Sequence, residues 1–208
     1  MNRNEILRAG LNALGLDLPE TATQRLLAYV DLLVKWNRTY NLTAIRDGDE
    51  MVTQHLLDSL SILPFLQDVQ SLADIGSGAG LPGIPLAIAQ PQLAVTLIDS
   101  VQKKSAFQQQ AKIDLALTNV SIYSGRIEDY RKYDEFDAVT ARAFSDLPLL
   151  AKAAGPLLRP GGRIYAMKGV LPQDEMAALP APWHVAATPR LLVPGLSAER
   201  HLLILERN

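Results

Sequence analysis

The sequence predicts an α/β protein with a doubly wound, mostly parallel sheet of seven strands and a helical N-terminal extension. Three observations predict this fold class. From Leu72 onward short apolar runs alternate with helical patterns, a glycine-rich turn follows the first apolar run, and the preceding residues show only helical periodicity. We therefore place the extension at 1–66 and a Rossmann-like domain at 67–208, packed together as a single globular unit.

The extension is predicted to contain three amphipathic helices, near 4–15, 20–37 and 50–63, because apolar residues recur at spacings of three and four. His55, Asp58 and Ser59 fall along one stripe of the third helix, so Asp58 is expected to orient His55 and keep it charged. The chain has three histidines and no spacing typical of a zinc site. No metal is therefore predicted.

Beyond the extension, the pattern predicts alternating strands and helices. Ligands of such sheets bind beyond the carboxyl ends of the strands, so the residues that follow each strand are the functional candidates. The predicted strands lie near 72–75, 94–98, 120–123, 136–141, 163–167, 184–188 and 201–206, and the predicted helices near 83–90, 102–116, 146–158 and 173–179.

The stretch after the first predicted strand reads D-I-G-S-G-A-G-L-P-G from Asp74 to Gly83. Its last three glycines match the dinucleotide pattern G-x-G-x-x-G, so a nicotinamide-dependent oxidoreductase remains an alternative. Asp74 with Gly76, Gly78 and Gly80 resembles motif I of the class I methyltransferases that use S-adenosylmethionine (SAM). An acid at Asp74 suits the sulfonium and ammonium of SAM and would repel a pyrophosphate, which favours the SAM site.

Further candidates follow the other strands. Asp99 directly follows the second strand, where an acid binds the two hydroxyls of a ribose in SAM and dinucleotide sites alike. Ile127 and Glu128 lie in the loop that meets an adenine. A cationic rim suited to an RNA backbone is predicted from Lys103, Arg126, Arg142, Lys168 and Arg200, whereas Lys104 is expected to be ordinary surface charge.

Composition restricts the chemistry. With 20 basic and 22 acidic residues, net charge does not indicate a nucleic-acid partner. The absence of cysteine excludes a thiol nucleophile for methylating a pyrimidine carbon, and no Asn/Asp-Pro-Pro-aromatic motif for an exocyclic amine follows the fourth strand. The N7 atom of guanine fits what remains, because it needs no general base. Charged residues interrupt the N-terminal segment, so no signal peptide or membrane span is predicted and a cytoplasmic location is expected.

Together these motifs resemble the bacterial 16S rRNA guanine-N7 methyltransferases of the RsmG (GidB) family. The similarity spans nearly the whole chain and rests on Lys35-Trp36-Asn37, Tyr40-Asn41-Leu42-Thr43, His55 with Leu57-Asp58-Ser59, the unusual G-L-P-G-I-P at 80–85, Asp99, Arg142-Ala143-Phe144, Lys168-Gly169 and Glu199-Arg200-His201-Leu202.

The resemblance implies a fold of the class I SAM-dependent methyltransferases, SAM as cofactor, S-adenosylhomocysteine as product and no metal. The substrate of the family is the guanine conventionally numbered 527 in 16S rRNA, either in free rRNA or in the small ribosomal subunit. We expect Arg142 to position the reactants and no residue to act as acid or base. SAM is expected at Gly76, Gly78, Leu81, Asp99, Ile127, Glu128 and Arg142, and rRNA at His55, Lys103, Arg126, Lys168 and Arg200.

Three alternatives remain open at this point. The chain could methylate another RNA, a protein or a small molecule, it could be the oxidoreductase named above, or it could bind ribosomal subunits without turnover. Nothing in the sequence demands more than a monomer.

Overall fold

The computed structural model describes residues 2–142, 144 and 146–207, so the motif residue Ala143 lies outside the described residues. Its seven strands form one sheet in which four pairings are parallel and the last two are antiparallel. The strands are β1 (Ser71–Ile75), β2 (Ala94–Asp99), β3 (Val120–Ser124), β4 (Phe136–Arg142), β5 (Leu158–Lys168), β6 (Trp183–Ala187) and β7 (His201–Arg207), in the order β3-β2-β1-β4-β5-β7-β6. The predicted doubly wound, mostly parallel sheet is confirmed.

Eight α-helical segments accompany the sheet among the described residues. They are α1 (Arg3–Ala13), α2 (Glu20–Tyr40), α3 (Gly48–Met51), α4 (Asp58–Leu60), α5 (Gly83–Ala89), α6 (Gln102–Asp114), α7 (Leu147–Ala154) and α8 (Gln173–Ala177). A π-helical turn at Val52–Leu57 joins α3 to α4, so the third predicted helix is not a regular α-helix. π-Helical turns are rare and often lie at functional sites.

The first residue of β5 differs from the prediction. β5 begins at Leu158 rather than near residue 163, because Leu158 pairs with Phe136 and the pairing resumes at Arg163 opposite Ala138. The antiparallel β7 begins opposite the end of β5, where His201 pairs with Lys168. Residues just before β7 therefore reach the same edge of the sheet as the carboxyl ends of the parallel strands.

The helical extension packs on the face of the sheet that also carries α5 and α6. Tyr29 on α2 is fully buried there, with its ring 6.1 Å from that of Phe107 on α6. Its hydroxyl donates to the carbonyl oxygen of Ala79 at 2.7 Å, within the glycine-rich turn. A second apolar cluster fills the opposite face, between the sheet and α7. The extension therefore contacts the predicted ligand loop directly.

Candidate functional site

The glycine-rich turn after β1 has a backbone that only glycine adopts easily. Gly76, Gly78 and Gly80 have φ values of 65°, 58° and 84°. A Cβ at Gly80 would lie 2.4 Å from Cδ1 of Ile84, whereas a Cβ at Gly76 would meet nothing within 4 Å. Gly80 is thus required by close packing, and Gly76 leaves open space above the end of the strand.

Asp99 ties two loops together at the end of β2. Its Oδ2 accepts a hydrogen bond from the Gly78 amide and its Oδ1 accepts one from the Val101 amide, both at 2.8 Å. A phosphate bound at a glycine-rich turn accepts hydrogen bonds from free backbone amides. Here the Gly78 amide already donates to Asp99. The contact disfavours the dinucleotide alternative and leaves the remaining lone pairs of the carboxylate for hydroxyl donors.

A cavity of about 380 Å³ lies beside Asp99, over the ends of the first three strands. Apolar side chains and a carboxylate in one cavity fit a nucleoside, whose base is flat and whose ribose carries two hydroxyl donors. Its lining residues are Ile75, Gly76, Ile98, Asp99, Ser100, Val101, Lys104, Gly125, Arg126, Ile127, Glu128 and Phe144. We call it the nucleoside cavity.

Asp74 lies fully buried beneath this turn. Its Oδ2 accepts a hydrogen bond from the Gly83 amide at 2.8 Å, while its Oδ1 has no hydrogen-bond partner among the described residues. Burial raises the pKa of Asp74 to about 7, against the lowering effects of the Gly83 amide and of Arg142. A nearby cationic ligand would stabilise the ionised form, which fits the positive charges of SAM.

A second cavity of about 370 Å³ lies over the ends of β4 and β5. Asp58 is buried at its edge, with Oδ2 3.2 Å from Nη1 of Arg142 and Oδ1 3.0 Å from Nε of Arg200. One carboxylate between two guanidinium groups leaves a net positive charge. The cavity is lined by Asp58, Arg142, Met167, Lys168, Gly169 and Arg200, and we call it the cationic cavity.

Lys168 lies between the two cavities. Its ammonium donates to Glu175 at 2.9 Å and to the carbonyl oxygen of Phe144 at 3.1 Å. Because Phe144 lines the nucleoside cavity and Lys168 lines the cationic cavity, the two cavities are neighbours with this contact between them. Glu175 offsets the charge of Lys168, so the excess positive charge of the cationic cavity resides on the two arginines.

The prediction that Asp58 orients and charges His55 is wrong. Asp58 binds the two arginines instead, and His55 Nε2 lies 2.9 Å from Oγ1 of Thr43. Burial, together with the charge of Arg142, lowers the pKa of His55 to about 4, so the imidazole is neutral near pH 7. The π-helical turn at Val52–Leu57 changes the angle between the two side chains from that of an α-helix.

Most of the predicted site residues fall into one cavity or the other. Gly76, Asp99, Arg126, Ile127 and Glu128 line the nucleoside cavity, and Arg142, Lys168 and Arg200 line the cationic cavity. The amide of Gly78 binds Asp99.

Four predicted positions differ from expectation. Leu81 is 4% exposed and packs in the core, and His55 at 5% exposure offers rRNA little surface. Lys103 is exposed and lines neither cavity, whereas its neighbour Lys104 lines the nucleoside cavity with Nζ 4.0 Å from Asp99. Successive residues of α6 point in different directions around the helix axis, so Lys104 faces the cavity and Lys103 does not. Arg142, expected at SAM, lines the cationic cavity instead.

Lys104, Phe144 and Thr43 are site residues that the sequence reasoning did not assign. Phe144 carried a usable signal, because it is the second residue after the end of β4. Lys104 stands beside a chosen lysine, and only the three-dimensional phase of α6 separates them. Thr43 is 12 positions from His55 and belongs to the loop after α2, so its role depends on a tertiary contact.

No three acidic or histidine side chains among residues 2–142, 144 and 146–207 cluster as metal ligands do. Within the same ranges, every helix is too short or too polar to cross a lipid bilayer.

Comparison with known proteins gives a consistent result. Residues 22–203 match the family model described as rRNA small subunit methyltransferase G. The chain is 55% identical over 201 residues to the "Ribosomal RNA small subunit methyltransferase G" of Azoarcus sp. (strain BH72), covering 97% of this chain and 95% of that one. It is 53% identical over 210 residues to the protein of the same name from Neisseria meningitidis serogroup C, covering all of both chains.

Solved structures extend the likeness in fold. TrmN from Thermus thermophilus superposes with a TM-score of 0.59 at 18% identity, over 76% of this chain and 53% of that chain. The ribosomal protein L11 methylase from Lactobacillus delbrueckii subsp. bulgaricus gives a TM-score of 0.55 at 16% identity, over 73% of this chain and 77% of that one. At such identities the likeness supports the fold alone, which is that of the class I methyltransferases.

Proposed function

The chain belongs to the rRNA small subunit methyltransferase G family, and from this premise we propose that it transfers the methyl group of SAM to N7 of guanine 527 in 16S rRNA. The single observation that carries the proposal is that the two cavities are neighbours. A nucleoside-sized space with a carboxylate lies beside a space bordered by two arginines, and Lys168 of one donates to the carbonyl oxygen of Phe144 of the other at 3.1 Å.

The nucleoside cavity fits SAM through residues already in place. Asp99 would accept the ribose hydroxyls, Ile127 and Glu128 would meet the adenine, and the open surface at Gly76 would admit the rest of the molecule. Asp74 would supply negative charge beneath it. When bound, SAM supplies an electrophilic methyl group on a positively charged sulfur.

The chemistry at guanine requires no proton transfer. The N7 lone pair forms a bond to the methyl carbon while the carbon–sulfur bond breaks and its electron pair returns to sulfur, which leaves S-adenosylhomocysteine. Positive charge passes from the sulfur to the guanine ring. No side chain needs to act as acid or base, so catalysis consists of in-line placement, an effect worth up to about 7–11 kcal/mol.

Arg142 is the residue we assign to that placement. Its guanidinium is fixed by Asp58 at 3.2 Å and by the carbonyl oxygen of Gln54 at 3.1 Å, and it borders the cationic cavity. The N–H groups left over can donate to O6 of guanine, an acceptor adjacent to N7. Asp58 offsets the charge of Arg142, which reduces its repulsion of the positively charged product.

Contact with the rRNA backbone is assigned to the cations around both cavities. Arg126 and Lys104 border the nucleoside cavity, and Lys168 and Arg200 border the cationic cavity, whereas Lys103 extends the same charge along α6. The partner is 16S rRNA or the small ribosomal subunit. We also propose that the protein acts as a monomer in the cytoplasm, with residues 1–66 and 67–208 forming one unit.

A methyl-transfer assay tests this function. The purified protein is given tritiated SAM with total rRNA, and separately with small subunits from cells that lack the gene, followed by nucleoside analysis. Label in 7-methylguanosine at position 527 of 16S rRNA is expected, and the two preparations show which form is recognised.

Other outcomes would contradict the proposal. Label in another RNA, a protein or a small molecule would mean that this molecule, and not 16S rRNA, is the methyl acceptor. Tight SAM binding without transfer would indicate a subunit-binding protein without turnover. Quenching of NADH fluorescence with no response to SAM would restore the oxidoreductase alternative.

A further inference from the structure

A chain of hydrogen bonds begins at Asn37, near the end of α2. This side chain is 3% exposed, and its amide group closes the following loop. Nδ2 donates to the Ile45 carbonyl oxygen at 3.0 Å, and Oδ1 accepts from the Thr43 amide at 2.9 Å. The two bonds fix the backbone that carries the Thr43 side chain.

The side chain of Thr43 in turn contacts His55. Its Oγ1 accepts a hydrogen bond from the Ile45 amide at 3.2 Å and lies 2.9 Å from Nε2 of His55. On the other side of the ring, Nδ1 lies 3.1 Å from the carbonyl oxygen of Gln54. Nη1 of Arg142 donates to that same oxygen at 3.1 Å.

The distances decide which nitrogen of the neutral imidazole carries the proton. With the proton on Nδ1, His55 donates to Gln54, Thr43 donates to Nε2, and every acceptor faces a donor. With the proton on Nε2, the lone pair of Nδ1 faces the carbonyl oxygen of Gln54 at 3.1 Å, an acceptor against an acceptor. That form gains only 3.5 Å contacts to Arg142, at the limit of a hydrogen bond.

We propose that Thr43, held by Asn37, is a positioning residue for Arg142, because its hydroxyl anchors Nε2 of His55, whose Nδ1–H shares the Gln54 carbonyl oxygen with Arg142. The inference rests on the proposed function, which makes Arg142 the residue that aligns guanine with the methyl group. It gives the motif from Asn37 to Thr43 a part in the reaction, although neither residue lines a cavity described above.

The π-helical turn supplies the shared acceptor. Gln54 lies inside Val52–Leu57, and its carbonyl oxygen receives hydrogen bonds from two side chains. Removing the Thr43 hydroxyl leaves the lone pair of Nε2 without a donor, so among these contacts only the bond from Nδ1 to the Gln54 carbonyl oxygen still holds the ring. The imidazole can then tilt about that bond, and the guanidinium that shares the same oxygen is held less firmly.

The test compares Thr43→Val, which removes the hydroxyl at constant shape, with Thr43→Ser, which keeps it. The matched control is Thr23→Val, another buried threonine of the extension that takes no part in this chain of hydrogen bonds. The first readout is the ¹⁵N NMR spectrum of the His55 imidazole in the free protein, which reports the tautomer and whether Nε2 accepts a hydrogen bond. The Nδ1–H form is expected in all four proteins, and an Nε2 that accepts a hydrogen bond is expected in all of them except Thr43→Val.

The second readout is methyl transfer. Thr43→Val should lower kcat about tenfold, the effect of losing one hydrogen bond, with little change in the KM for SAM. Thr43→Ser should restore kcat, and Thr23→Val should match the native protein. In an Arg142→Lys background, Thr43→Val should have no further effect, because Thr43 acts through Arg142.

Three results would overturn the proposal. They are an Nε2–H tautomer in the native protein, an unchanged kcat in Thr43→Val, and equal effects of Thr43→Val with Arg142 or Lys at position 142. Failure of the proposed function gives a different result: the native protein then leaves rRNA unlabelled, while the NMR comparison still reports whether Thr43 is bonded to Nε2 of His55.

Discussion

Asp58 holds the guanidinium of Arg142 at 3.2 Å although the two residues are 84 positions apart. The acid comes from the helical extension and the arginine from the end of β4. Arg200, immediately before β7, binds the second oxygen of the same carboxylate at 3.0 Å. The cationic cavity therefore exists only when extension and sheet are packed together.

Asp58→Asn removes the charge that both arginines share and keeps the side-chain shape. We expect the free energy of unfolding to fall by about 1.5–3 kcal/mol, the range for hydrogen bonds to charged groups, and methyl transfer to slow because Arg142 loses a fixed partner. Urea denaturation and the labelled-SAM assay measure the two effects. Glu206→Gln is the control, since its pair with Arg163 is partly exposed and worth at most about 1 kcal/mol. Equal losses in the two variants would contradict this assignment.

Arg142→Ala should reduce kcat by about 100-fold or more, because guanine loses its alignment with the methyl group. SAM binding, measured by calorimetry, should change little, since Arg142 lines the cationic cavity and not the nucleoside cavity. Arg163→Ala removes an arginine from the middle of β5, outside both cavities, and should leave kcat as it is. Native turnover in Arg142→Ala would remove this residue from the mechanism.

Asp99→Asn should weaken SAM binding about 10- to 100-fold, because the ribose loses a charged acceptor and the variant amide cannot accept from both Gly78 and Val101. Calorimetric titration with SAM measures the change. The exposed Asp129, which does not line the nucleoside cavity, provides the control variant Asp129→Asn. A dissociation constant equal to that of the native protein would show that the ribose binds elsewhere.

Asp74 and His55 give opposite pH dependences of stability. Burial raises the pKa of Asp74 to about 7 from 3.8, so the folded state holds its proton more tightly and ionisation reduces stability as pH rises from about 4 to 7. Burial lowers the pKa of His55 to about 4 from 6.5, so the unfolded state binds the proton more tightly and stability rises over about pH 4 to 6.5.

Asp74→Asn should therefore make the free energy of unfolding rise more steeply with pH between about 4 and 6.5, because only the His55 contribution remains. Urea denaturation of the native protein and the variant at several pH values in this window measures the slopes. Parallel curves would mean that Asp74 is already ionised in the folded protein.

Much of the fold was predictable because it depends on local patterns. Alternating apolar runs and helical spacing placed every strand of the sheet, and the positions of Gly76 and Asp99 followed from the strand that precedes each. A residue directly after a parallel strand lies at the edge of the sheet where ligands bind, and this position does not depend on residues far away in the sequence. The nucleoside cavity is therefore largely a local property of the sequence.

Tertiary structure alone decided the cationic cavity. The partners of Asp58 lie 84 and 142 positions away, so periodicity within its own helix pointed to His55 instead. The neutral state of His55 comes from burial, and the choice between Lys103 and Lys104 comes from the phase of α6. The sequence by itself determined the sheet and the loop for a nucleoside, since both depend on neighbours along the chain. Charge pairing depends on which distant side chains packing brings within about 3 Å, and only the folded chain decides that.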